Sequence, residues 1–85
     1  MKRIRWEVRY NRKGDTWEVY RDGVFQTHSY HLKPEAVYSA ATICRQAWRV
    51  LGERSELFIK NRNGQIGKGS GSRRTYGRDP RRTKG

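Results

Sequence analysis

Acidic residues are scarce in this chain: eight Asp and Glu stand against twenty Lys and Arg, a formal net charge of +12. So few carboxylates leave no pair or cluster at the spacing that acid–base hydrolysis or metal-dependent phosphodiester cleavage needs. Cysteine occurs once, at Cys44, which rules out an intrachain disulfide and a Cys-based zinc site. Long apolar runs are missing, and the opening Met1-Lys2-Arg3-Ile4-Arg5 is charged at once. Neither a signal peptide nor a membrane span is expected, and a bacterial or phage-like cytoplasmic setting follows by default. No Gly-x-Ser-x-Gly is present, and the glycines around Lys68 lack the spacing of a phosphate loop.

What is there begins with alternation. Ile4, Trp6, Val8 and Tyr10 fall on one side of a strand, and Arg3, Arg5, Glu7 and Arg9 on the other. Thr16–Tyr20 reads as a second strand with Trp17 and Val19 on one face. Asp22-Gly23 then closes a hairpin, because both positions tolerate positive φ. A third strand runs from Val24 to about His31. Pro34 suits a first helical turn, and Val37, Ala40, Ala41, Cys44, Ala47, Trp48 and Leu51 recur at helical spacing up to Gly52. Residues 55–61 read as a strand with Leu57 and Ile59 inward, or Phe58 if the register slips. Asn63-Gly64 turns the chain into a short return strand at Gln65-Ile66.

These elements give an α+β domain over residues 1–66. Its antiparallel sheet of three to five strands is covered on one face by a single helix, in the order β-β-β-α-β with a short fifth strand. Trp6, Trp17 and Trp48 are expected in the core. Residues 67–85 read as a flexible basic tail rich in Gly, Ser and Arg. Eight cations and the single acid Asp79 give residues 62–85 a charge of +7.

The quoted segments resemble a known group. Trp17-Glu18-Val19, Glu35-Ala36, Glu56-Leu57, Asn63-Gly64-Gln65-Ile66, Tyr76-Gly77-Arg78-Asp79-Pro80 and Lys84-Gly85 are similar to the motifs of the small bacterial domain-of-unknown-function 2188 family. That resemblance implies the architecture and leaves activity open. A looser, fold-level likeness is to the three-stranded-sheet-plus-helix DNA-binding modules of phage integrases and plant AP-type transcription factors, which use the sheet face opposite the helix.

A mobile cationic segment on a small basic domain points to a polyanion, with nucleic acid the commonest such partner. The expected module is non-enzymatic and binds DNA or RNA mainly through the phosphate backbone. It would use Arg3, Arg5, Arg9 and Tyr20 on the open sheet face, joined in one register by His28 and Tyr30. Arg73, Arg74, Arg81 and Arg82 would act from the tail. Alternate residues on a strand lie about 6.6 Å apart, close to the phosphate spacing of an extended chain. The alternative is a protein-interaction or structural accessory module, with a protein partner or a homodimer formed through edge strands. No cofactor or metal is expected: His28 and His31 point to opposite faces, and Cys44 belongs to the helix's apolar side.

Overall fold

A computed structural model describes residues 3–78, and these form five strands and one α-helix. β1 (Ile4–Asn11), β2 (Thr16–Arg21) and β3 (Val24–Tyr30) form an antiparallel meander. They are followed by α1 (Lys33–Gln46), a π-helical turn at Ala47–Leu51, β4 (Ser55–Ile59) and β5 (Arg73–Tyr76). The strand order across the sheet is β3-β2-β1-β4-β5.

The expected all-antiparallel sheet is corrected at one place: β1 and β4 are parallel, with Trp6 opposite Leu57 and Val8 opposite Ile59. The reason lies in chain direction. After the meander β3 runs the same way as β1, the helix carries the chain back, and β4 must again run with β1.

Alternation along the strands sorts the side chains as expected. Trp6, Val8, Trp17, Val19, Leu57 and Ile59 are buried together with Ala36, Ala40, Ala41 and Cys44 of α1. The small residues on the helix let it lie close to the large ones on the sheet, as dense packing requires. Asp22 (φ 49°) and Gly23 (φ 84°) both take the positive φ that a tight hairpin demands. Asp22 also accepts the Arg5 amide through Oδ1 at 3.0 Å. The β2–β3 ladder is irregular: Tyr20 pairs with Phe25 and Glu18 with Ser29, so β3 carries extra residues there. Thr27, at φ 63°, lies within that bulge.

Two further expectations change. The Asn63-Gly64 turn is present, but the return strand after it is reduced to a single bridge between Lys60 and Ile66. The fifth strand comes instead from Arg73–Tyr76, inside the stretch read as a flexible tail, and pairs with β4 through Ser55–Tyr76 and Phe58–Arg73. Composition hid it because only Tyr76 supplies an apolar side chain, and that ring packs against the core. Trp48 is the second change: it is 39% exposed, in a π turn with no buried residue. A π turn takes an extra residue and rotates the side chains that follow off the helix's core-facing line.

Candidate nucleic-acid interface

With α1 on one face, the other face of the sheet is open. Strand pairing brings Arg5, Glu7 and Arg9 of β1 beside Glu18 and Tyr20 of β2 and beside Glu56, Phe58 and Lys60 from β4 onward. Phe25 and Arg73 complete the surface at its two margins.

Its centre is Glu7, only 6% exposed. Oε2 accepts from Arg5 Nε at 2.6 Å, Oε1 accepts from Arg9 Nε at 2.6 Å, and Lys60 Nζ is 3.5 Å from Oε1. Burial pushes this carboxyl up, but the hydrogen bonds from Arg5 and Arg9 and the charges of Arg9 and Lys60 outweigh it, holding the pKa at about 2. Each arginine, so anchored, lies over a ring. The Arg5 guanidinium is 4.0 Å from the Phe58 centroid and that of Arg9 is 4.1 Å from Tyr20. Arg73 also lies over Phe58, 5.5 Å from its centroid, and pairs with Glu56 at 2.9 Å. Tyr20 donates to Glu18 at 2.9 Å and stacks obliquely on Phe25. Burial and the Glu18 bond push the Tyr20 pKa up, so its hydroxyl stays protonated.

The residues singled out in the sequence therefore separate into distinct environments. Arg5, Arg9 and Tyr20 come together on the open face. Arg73 joins them from β5, although its expected place was a tail. Arg3 does not belong to this group. Its guanidinium donates to the backbone carbonyls of Tyr76 (2.8 Å) and Gly77 (3.1 Å), tying the end of β5 to the start of β1. Arg74 points away from Arg73 along the strand and donates to the Gly71 carbonyl. Tyr30, opposite Trp17, lies on the helix side and shares a hydrogen bond with Ser39 rather than facing outward. Arg81 and Arg82 lie outside the described residues.

Sequence reasoning passed over one rim of the sheet. Arg12 and Lys13 in the β1–β2 turn, Lys33 at the start of α1, and Lys60 and Arg62 after β4 converge where β1 ends. Among the described residues, no carboxylate is in ion-pair reach of Arg12, Lys13 or Arg62. The Arg62 guanidinium lies 5.0 Å from the Tyr10 ring, and Lys33 Nζ lies 5.3 Å from Trp17. The available signal was positional. Arg12-Lys13 lie in the turn after β1 and Arg62 in the turn after β4, and a parallel β1–β4 pair brings the exits of both strands to the same end.

No group of three or more His, Cys, Asp or Glu side chains converges among the described residues. None of their helices is long and apolar enough to cross a membrane. No family model, curated protein or solved structure matches the chain.

Proposed function

We propose that the protein is a small non-enzymatic nucleic-acid-binding module of the cytoplasm. The observation that carries this reading is the open face. Three guanidinium groups lie within 5.5 Å of aromatic ring centroids there, and that face borders a rim on which Arg12, Lys13 and Arg62 have no carboxylate in ion-pair reach among the described residues. A guanidinium fixed on a ring keeps its outer plane free for a base to stack on, and its unused N–H groups free for phosphate. Glu7 and Glu56 compensate part of the charge locally, so the face contributes geometry and the rim contributes long-range attraction. A flat face of this kind favours unpaired strands, whose bases are free to stack.

Fluorescence anisotropy across a salt series tests the reading. Log affinity should fall linearly with log salt, by about 0.7 per phosphate contacted on single strands and about 0.9 on duplex DNA. Single strands should bind more tightly than duplex at equal salt. Dissociation constants weaker than millimolar at low salt, for DNA and RNA alike, would remove the proposal.

A second reading, protein interaction, is favoured by one observation. Ile43, Val50 and Leu51 near the end of the helical segment are exposed, Val50 by 72%. Partners recovered from lysate that persist after nuclease treatment would favour it.

A further inference from the structure

The cationic rim encloses a hollow of about 320 Å³ between the β1–β2 turn and the turn at residues 60–64. Its walls include Arg9, Tyr10, Arg12, Lys60 and Arg62, with Asn63 and Gly64 at the edge. Three acids lie close by, and all are engaged. Glu18, which lines the adjoining hollow with Arg9 and Arg12, accepts from Asn11 Nδ2 at 3.0 Å and from the Tyr20 hydroxyl at 2.9 Å. Glu7 is shared between Arg5, Arg9 and Lys60. Asp15 accepts the Tyr10 hydroxyl at 2.7 Å. Even if all three acids are assigned wholly to this region, four cations against three carboxylates leave one positive charge unmatched. The Asn63 side-chain oxygen is taken by the Gln65 amide at 3.1 Å, which leaves its amide nitrogen to donate.

A second hollow adjoins the first and shares Arg9, Tyr10 and Arg12 with it. It opens onto Tyr20 and the exposed ring of Phe25. One chamber is thus rich in N–H donors and cationic, and its neighbour offers the rings of Tyr20 and Phe25 beside the Glu18 carboxylate.

We propose that these paired hollows receive the phosphorylated end of a nucleic-acid strand. The terminal phosphate lies among Arg9, Arg12, Lys60 and Arg62, and the adjoining base lies on Phe25 beside Tyr20. A terminal phosphomonoester carries close to two negative charges at neutral pH and three unesterified oxygens, whereas an internal phosphodiester carries one charge and two such oxygens, so four cations lining one hollow gain more from the former. Arginine's planar fork gives two parallel hydrogen bonds to such a group, and both Arg12 and Arg62 are exposed enough to reorient onto it. This inference rests on the nucleic-acid reading and assigns the site that would give it a preference for strand ends.

The experiment compares three single strands of one sequence, carrying a 5′-phosphate, a 3′-phosphate or two hydroxyl ends, by anisotropy at fixed salt. One of the phosphorylated strands should bind about tenfold more tightly than the hydroxyl-ended strand, as one or two added charge-assisted contacts would give. The double variant Arg12→Ala/Arg62→Ala changes only exposed turn residues. It should keep the far-ultraviolet spectrum of the wild type while the ratio collapses to about one. Phe25→Ala should weaken the phosphorylated strand about threefold or more. Equal affinities for all three strands would overturn the inference while leaving the nucleic-acid reading in place. A preference that survives the double variant would also overturn it. If no strand binds, both fall together.

Discussion

Arg9 Nε donates to Glu7 Oε1 at 2.6 Å from two residues further along the same strand. Arg5 repeats the arrangement from the other direction onto Oε2. Three consecutive outward positions of β1 thus form a cation–anion–cation row, with Lys60 reaching it from beyond β4. The row makes an arginine-rich face compatible with folding, because without its central anion the neighbouring cations would repel across a nearly buried site.

That dependence has a pH signature. The Glu7 carboxyl titrates at about 2 in the folded chain against an ordinary value of 4.5. A depressed folded pKa means its stabilisation is complete above pH 4.5 and drains away as pH falls toward 2. Both arginines are partly exposed, which reduces the loss to on the order of 2 kcal/mol. Urea titrations followed by tryptophan fluorescence between pH 2 and 6 should show this decline. Glu7→Gln should flatten the part of that decline due to Glu7 and destabilise the protein at pH 7 by about 1–3 kcal/mol. An unchanged profile in the variant would show that other groups dominate.

Much of this arrangement was legible beforehand, and the failures share a cause. Period-two alternation placed Trp6, Val8, Arg5, Glu7 and Arg9 on their correct faces, because side-chain direction in a strand is local. The Asp22-Gly23 turn was equally local. The parallel β1–β4 pair, β5 and the position of Trp48 depend on where distant segments meet. Arg73–Tyr76 carries almost no burial signal of its own. It is held by backbone pairing to β4 and by the Arg3 side chain capping Tyr76 and Gly77. Similarly, Arg5 and Arg9 were recognised as outward-facing cations, while their mutual capture of Glu7 required knowing how near the side chains lie. The rim formed by Arg12, Lys60 and Arg62 was invisible until β4 was known to run with β1.

Gly77 marks the point where the chain leaves β5 and passes between Trp48 and Arg54. Its φ is +93°, and a Cβ there would lie 2.7 Å from Arg54 Cγ and 2.8 Å from Trp48 Cε3. The indole is broad and stiff, and the backbone conformation disfavours any Cβ. Gly77→Ala should therefore cost about 1–3 kcal/mol and loosen β5 before the rest of the sheet. Hydrogen exchange should show reduced protection at Arg73–Tyr76 while β1 and β2 keep theirs. Wild-type protection across all five strands would contradict the packing role given to this glycine.

Cys44 is fully buried on the core face of α1. Burial pushes its thiol up to about 11 from 9.0, against smaller opposing influences from Ser55 and Arg45. A raised folded pKa leaves its contribution intact below pH 9 and removes it as pH climbs toward 11. At pH 8 the folded thiol should be inert to a disulfide reagent, reacting only as fast as the domain opens. Labelling should accelerate steeply through the urea transition and track the tryptophan signal. Rapid labelling without denaturant would place the thiol near the surface.

The two halves of the expected tail should behave differently when removed. A chain ending at Ile66 loses β5, the Arg73–Glu56 pair and the Tyr76 and Gly77 carbonyls that Arg3 binds, and it leaves the outer edge of β4 unpaired. Unpaired backbone beside a partly buried strand is costly, so this truncation should lower stability by several kcal/mol and promote association through the open edge. Ending the chain at Arg78 leaves all five strands in place and removes Arg81, Arg82 and Lys84 against Asp79. Its melting temperature should stay within a few degrees, and any loss should appear in nucleic-acid affinity at low salt, shrinking as salt is raised. The opposite pattern, a stable short chain and an unfolded longer one, would mean that β4 does not need β5. Arg3 would then be free for the open face instead of being held at the sheet's edge.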